Sequence, residues 1–286
     1  MAFQEFKTVK LNGVAACVPA NVEENASLDL FSNADEFEKF VATTGIERRR
    51  VVKDNMCASD LCLAAAEKLI SELNWDKNEI ECLIFVSQTP DYKLPATSCV
   101  LHGKLGLSKS CMTFDISLGC SGWVYGVSTM ASILSSGNIK KGLLLVGDTV
   151  SRTKSPLDKS TYPLFGDAGT ATALSYNENA DPLQIALFTD GASFDAIMIE
   201  DGGYRNPVSE KSFEYTDYGN GIIRNKLQSV LDGSSVFTFG ISKAPQSVNN
   251  LIEHFDIDKD AIDYFVFHQA NRLMNEKIRT KLKLPE

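Results

Sequence analysis

The sequence of 286 residues lacks any run approaching the ~18 consecutive apolar residues of a membrane span. Its first ten residues, MAFQEFKTVK, lack the apolar core of a secretory leader. A soluble, cytoplasmic protein with no membrane partner is expected. Basic residues are not in surplus: 28 Lys and Arg stand against 37 Asp and Glu, for a net charge of −9. Nucleic-acid binders usually show the opposite balance, so no nucleic-acid partner is expected. No two of the seven cysteines are spaced Cys-x-x-Cys, and their number is odd. That pattern suits reduced thiols rather than a disulfide framework. The hydrolase pattern Gly-x-Ser-x-Gly is absent too, which argues against Ser121 as a hydrolytic nucleophile. Histidine is scarce, occurring only at 102, 254 and 268.

What is present is an ordinary globular composition, 44% hydrophobic and 23% charged. It suffices for one large core or two fused half-domains. Residues 7–17 read as a strand stopped by Pro19. A helix is expected from about Ser59 to Leu73, with Leu61, Ala65, Leu69 and Ile70 at helical spacing. ECLIFVSQ (81–88), CMTFDIS (111–117), GLLLVGDTV (142–150) and DYFVFH (263–268) read as strands. Helices are expected over about 96–105, from Gly122 to Gly137, near 243–255 and from about Arg272. Residues 202–233 read as polar, Gly-rich loop. Strands alternating with helices indicate a layered α/β fold. WDKNEIECLIFVSQT (75–89) is echoed by IDKDAIDYFVFHQAN (257–271), with Asp76/Asp258, Lys77/Lys259, Ile80/Ile262 and Phe85/Phe267 coinciding. The echo suggests a duplicated unit, with halves at 1–175 and 176–286.

Cys120 stands out among the thiols. The strand ending near Ile116 runs into Gly119-Cys120-Ser121-Gly122, and a long helix follows. A thiol at such a turn lies at the positive end of the helix dipole, a setting that favours the thiolate. The bland alternative is a packed cysteine, the reading we give to Cys17, Cys62, Cys82, Cys99 and Cys111 in or beside apolar runs. His102 and His254 fall within helices and read as structural or surface residues. His268 ends a strand, where α/β folds often place ligand-facing groups; a hydrogen-bonded turn histidine is its alternative reading.

Five segments, in order along the chain, resemble β-ketoacyl-acyl-carrier-protein synthase III of the thiolase superfamily. They are Thr44-Gly45-Ile46 with Arg48, Leu94-Pro95-Ala96-Thr97, DISLGCSGW (115–123), LFGDAGTA (164–171) and FHQAN (267–271). The resemblance implies an α/β, thiolase-like, five-layered αβαβα sandwich of two duplicated halves. It implies a decarboxylative Claisen condensation in which Cys120 accepts an acyl group from a coenzyme A thioester. Malonyl-acyl-carrier protein would then condense with it, and His268 would hydrogen-bond the malonyl thioester oxygen as enolate charge develops. Phe165, Leu94 and Asn271 would bind substrate, Leu94 by reaching across a homodimer. No metal and no redox cofactor is implied.

Three departures accompany the resemblance. The sequence ends at Glu286 before any Gly-Asn-Thr-Ser motif, so the end of the second half is expected to be missing from it. Phe37 and Lys159 stand where the family often clamps adenine between tryptophan and arginine. In FGDAGTA the order of Gly and Ala is altered. The last helix carries Arg272, Lys277, Arg279, Lys281 and Lys283 against Glu276 alone. Arg272, Lys277 and Arg279 would suit an acidic acyl-carrier protein; a solvated helix face is the bland alternative. Acyl transfer to a non-malonyl acceptor and a non-catalytic partner subunit are the rival functions. Cys120 and His268 together argue against the latter.

Overall fold

The structure, a computed structural model, describes residues 2–53 and 55–285. In chain order its elements are β1 (Ala2–Phe6), β2 (Val9–Cys17), β3 (Val22–Glu24), α1 (Ala34–Thr44), β4 (Arg48–Arg50), α2 (Ala58–Glu72), β5 (Cys82–Val86), α3 (Thr97–Leu105), β6 (Met112–Ile116), α4 (Gly122–Leu134), β7 (Lys141–Asp148), β8 (Ala168–Tyr176), β9 (Leu183–Leu187), β10 (Ile197–Met198), β11 (Thr216–Asp217), β12 (Ile223–Arg224), β13 (Val230–Leu231), α5 (Gly233–His254) and α6 (Arg272–Lys281). They fall into two compact units. The first comprises residues 1–21, 50–149 and 167–187; the second comprises 22–49, 150–166 and 188–286.

A five-stranded sheet ordered β2-β8-β7-β5-β6 organises the first unit. β5 is parallel to β6 and β7, whereas β8 runs antiparallel to β7 and β2. Side chains alternate across the sheet, as the pleat requires. Leu83, Phe85, Leu143 and Leu145 face a cluster containing Cys62, Leu69, Leu101 and Leu105 of α2 and α3. Cys82, Ile84, Val86 and Leu144 face Val127, Met130 and Leu134 of α4. All five residues of β5 are buried, which explains its uninterrupted apolar run. Each such Leu, Ile or Phe contributes about 1.5–3 kcal/mol by leaving water.

The strand β8 escaped the sequence reading, although it lies between β2 and β7. Its small residues serve close packing. Gly169 pairs with Gly147 of β7 in register. A Cβ at Gly169 would sit 2.5 Å from the Cys62 backbone nitrogen and 2.6 Å from Leu61 Cβ, and one at Gly147 would sit 2.9 Å from Cys62 Sγ. α2 therefore crosses the sheet over two glycines at backbone distance. The same contact accounts for the order of small residues in FGDAGTA: Gly169 has no room for a methyl group, and Ala168 is exposed.

The second unit contains α1, α5 and α6 and only two-stranded ladders among the described residues. α6 packs on α5 through Met274, Ile278 and Leu282 against Val236, Ile241 and Ala244. Two expectations need correction. α5 begins ten residues before the expected start, at Gly233, because Asp232 accepts the backbone N–H groups of Ser234 and Ser235. The expected strand 263–268 is not a strand: residues 262–269 belong to no ladder, and Tyr264 and Val266 are 85% and 91% exposed. Its counterpart β5 draws ladders from β6 and β7, both later in the chain. After 268 the described residues contain one helix and no strand.

The internal echo does have a structural counterpart. Asn74 and Asp256 both adopt positive φ, 51° and 52°. The N–H of Trp75 bonds the Ile70 carbonyl, as the N–H of Ile257 bonds that of Ile252. Asp76 and Asp258 then cap equivalent short 3₁₀ turns, Lys77–Glu79 and Lys259–Ala261. All of these pairs lie 182 residues apart. A second match follows at the helix ends: Leu107 N–H bonds the His102 carbonyl, and Leu284 N–H that of Arg279. There the separation is 177, so the connection from β5 to α3, which carries Leu94, is five residues longer than its counterpart.

Candidate active site

The turn that carries Cys120 is assembled by the sheet beneath it. β6 ends at Ile116, and α4 starts at Gly122 with Ser121 as its N-cap. The Gly122 N–H donates to the Gly119 carbonyl at 2.7 Å, which folds the chain back at Cys120. The Cys120 side chain is exposed, two residues ahead of a 13-residue helix, where the unbonded N–H groups concentrate positive potential. Glycine is required on the helical side by close approach. A Cβ at Gly122 would lie 2.7 Å from Val86 Cγ1, and one at Gly126 would lie 2.6 Å from Leu144 Cδ1. The first turns of α4 thus rest directly on β5 and β7, and Trp123 Nε1–H donates to Thr172 Oγ1 at 3.0 Å.

Two carboxylates tie the neighbouring loops to this frame. Asp115, near the end of β6, accepts the backbone N–H groups of Thr97 and Ser98 at 2.7 and 2.8 Å and so holds the N-terminus of α3. Asp148 ends β7, and its Oδ1 receives four donors: Ser87 Oγ, the Gln88 and Thr89 backbone N–H groups, and Thr89 Oγ1, at 2.7–3.0 Å. Neither role was visible in the sequence, since both depend on strands meeting from distant segments.

Burial separates the thiols. Loss of hydration pushes Cys62 and Cys82 up to about 12 and Cys111 up to about 11. These three are packing residues, as expected. Cys99 differs from expectation: it is exposed, because α3 turns Thr97, Ser98, Leu101 and Leu105 inward. Cys120 is the exposed thiol that sits in a turn at a helix N-terminus.

Leu94 also belongs to the first unit; it is 79% exposed. Phe165, His268, Asn271, Arg272, Lys277 and Arg279 belong to the second. His268 follows the extended segment, and its carbonyl accepts the Ala270 N–H at 3.1 Å. Asn271 is the N-cap of α6, its Oδ1 accepting the Met274 N–H at 2.8 Å. The Phe165 carbonyl accepts from Arg49 Nη1 at 3.0 Å, and the Lys154 ammonium lies 4.0 Å from the centre of its ring. Arg49 was missed by the sequence reading, which singled out Arg48. Arg48 is exposed, whereas Arg49 is buried and also bonds Asn25 Oδ1 and Glu23 Oε2. Arg-Arg-Arg (48–50) in β4 gives no hint of which guanidinium turns inward, but strand alternation does: the middle residue points opposite to its neighbours.

Around the altered clamp, Phe37 packs edge-on to Phe31 at 5.4 Å. Lys159 is paired with Glu36 at 2.9 Å. The Ser32 backbone N–H, together with Lys159, holds the Glu36 carboxyl down at about 2. On α6, Arg279 bonds Glu276 and the Leu284 carbonyl, and Lys281 bonds the Ile241 carbonyl. Arg272 and Lys277 are exposed, and the Arg272 side chain also passes over Gly45.

A nucleophilic turn joining a parallel strand to a helix, on a mixed sheet covered by helices on both faces, defines an α/β enzyme of the covalent acyl-transfer type. Comparison with known proteins makes this specific. Residues 114–193, which include Cys120, match the family described as 3-oxoacyl-[acyl-carrier-protein (ACP)] synthase III. A β-ketoacyl-[acyl-carrier-protein] synthase III of Streptococcus agalactiae is 30% identical over 96% of this chain and 80% of its own length. The synthase III of Ehrlichia canis is 31% identical over 96% of this chain and 80% of its own. A crystal structure of 3-oxoacyl-(acyl-carrier protein) synthase from Burkholderia xenovorans superposes with a TM-score of 0.91 at 34% identity. The match covers 99% of this chain and 80% of that one. The chain therefore belongs to the β-ketoacyl-acyl-carrier-protein synthase III family of condensing acyltransferases, with its thiolase-like α/β fold. Among the described residues no helix is long and apolar enough to cross a membrane.

Proposed function

We propose that the protein joins an acyl group to a malonyl-derived two-carbon unit in fatty-acid synthesis, through an acyl thioester on Cys120. The Cys120 sulfur attacks the carbonyl of an acyl thioester, and the donor's thiol leaves carrying the displaced electron pair and a proton. Malonyl-acyl-carrier protein then loses carbon dioxide, and the electron pair of the broken C–C bond forms an enolate. The enolate carbon attacks the acyl carbonyl, the C–S bond to Cys120 breaks, and a β-ketoacyl thioester departs. Covalent capture divides one difficult condensation into two steps. The enolate step needs charge stabilisation, which we assign to a hydrogen bond from His268. The reaction written this way uses no metal or redox cofactor. The observation that carries the reading is the exposed Cys120 on a turn braced by Gly122 against Val86, within the segment that matches the family.

The donor is coenzyme A-bound or carrier-bound; an acidic carrier would meet the exposed Arg272 and Lys277 of α6. Leu94, Phe165 and Asn271 are assigned to the substrate side, Asn271 by holding the loop after His268 in place. We assign a homodimer as the working form. The outer edge of β6 has no ladder among the described residues, and a second copy pairing there would satisfy it. Sedimentation distinguishes one copy of 31.3 kDa from two.

The half-reactions test the assignment. His268→Ala should still acquire an acyl group on Cys120 at a rate within a few-fold of the unsubstituted protein. It should lose decarboxylation of malonyl-acyl-carrier protein by on the order of 10²–10³-fold, the scale of a removed oxyanion donor. Equal loss of both half-reactions would rule out the role given to His268.

A further inference from the structure

The loop between β5 and α3 presents one group that the reaction above leaves unused. Asp148 pins Ser87, Gln88 and Thr89 through four hydrogen bonds to one oxygen, and Thr89 Oγ1 accepts the Thr149 N–H at 2.9 Å. The loop is thus fixed at its backbone, while the side chain of Gln88 is exposed. That side chain lies against Gly119: a Cβ built there would be 2.5 Å from Gln88 Oε1, 3.2 Å from Cδ and 3.7 Å from Nε2. The glycine before the nucleophile leaves the space that the carboxamide occupies. Adjacent Cα atoms are about 3.8 Å apart, so the carboxamide sits beside the residue that precedes Cys120, on the turn from which a group carried on its sulfur would extend. Among the described residues no side-chain hydrogen bond engages Gln88, so both its donors and its acceptor are available. The structural repeat points the same way. Val86 ends β5 where His268 ends the echoed segment, 182 residues on, so Gln88 lies in the counterpart of the loop that follows His268.

We propose that Gln88 is a specificity-determining residue of the acyl site, selecting acyl groups that bear an oxygen near the thioester over plain aliphatic ones. This rests on the acyl-Cys120 reading. An aliphatic chain laid over the carboxamide strips water from its N–H and C=O groups and returns no hydrogen bond. A chain with a hydroxyl or keto oxygen on its third carbon pairs with it. A site that hydrogen-bonds a substrate hydroxyl disfavours the analogue lacking it, and because Gln88 is exposed the discrimination is on the scale of one net hydrogen bond.

The test is competition between 3-hydroxybutyryl-pantetheine and butyryl-pantetheine, two thioesters of equal carbon count on the arm that coenzyme A and carrier proteins share. The readout is the ratio of the two adducts on Cys120 by intact mass, in the unsubstituted protein and in Gln88→Leu. Alkylation of Cys120 by iodoacetamide at matching rates verifies that the turn is intact in both. The unsubstituted protein should favour the hydroxyacyl group by about tenfold, and Gln88→Leu should bring the ratio to one or reverse it. Equal ratios in the two proteins overturn the proposal and leave the acyl-enzyme reading standing. Alkylation without any acylation of the unsubstituted protein overturns both.

Discussion

Cys120→Ala removes condensation: turnover should fall by on the order of 10⁴-fold or more, as when other covalent nucleophiles are deleted. The fold should survive, because the side chain is exposed and the turn is held by the Gly119–Gly122 hydrogen bond and by Gly122 against Val86. The thermal midpoint should therefore move little while activity vanishes. Cys99→Ala is the matched control, another exposed thiol but one in the first turn of α3; it should leave turnover unchanged. Steady-state assays of the two variants check the pair. Equal losses would contradict a nucleophilic role peculiar to Cys120.

The largest loss of stability is expected from Gly169→Val. The valine side chain would enter space already filled by the backbone of Leu61 and Cys62; the strand cannot yield without breaking ladders on both sides of β8, nor the helix without opening the buried cluster beneath it. Backbone collisions of this kind cost more than about 3 kcal/mol, and the midpoint should drop by about 5–10 °C. Gly103→Ala has the opposite sign. That glycine lies within α3 with nothing near its vacant Cβ position, and alanine in a helix is favoured over glycine by about 1 kcal/mol. Thermal unfolding of the two variants should bracket the unsubstituted protein. A tolerated Gly169→Val would mean that α2 does not rest on β7 and β8 as described.

Much of the first unit was legible in the sequence. β5 and β7 are apolar runs bounded by polar or glycine residues, β6 alternates apolar and polar residues, and α2 and α4 carry apolar residues at helical spacing. The turn that carries Cys120 could be read because its signal is local: a strand, two glycines and a helix in one short segment. What stayed hidden depends on distant partners. β8 is rich in Ala, Gly and Thr, a poor strand signature alone, and it is made a strand by β2 and β7 on either side. α5 starts ten residues before the expected helix because Asp232 caps it, and Pro245, a residue that favours a helix's first turn, lies inside it. Residues 263–268 repeat the pattern of β5 without acquiring its ladders, since pattern supplies the faces and neighbours supply the hydrogen bonds. Asp148 looks like any acid ending a strand until the loop after β5 arrives to donate to it. Arg49, between two similar neighbours, needed only the period of the strand.

The most direct test is to locate the acyl group. The protein is mixed with a short acyl thioester, quenched in acid and digested, and the mass of every cysteine-containing peptide is measured. A single acyl increment on the peptide containing Cys120, which disappears when malonyl-acyl-carrier protein is added before the quench, is the predicted result. An acyl group on any other residue, or an acyl-Cys120 that malonyl-acyl-carrier protein leaves untouched, would contradict it.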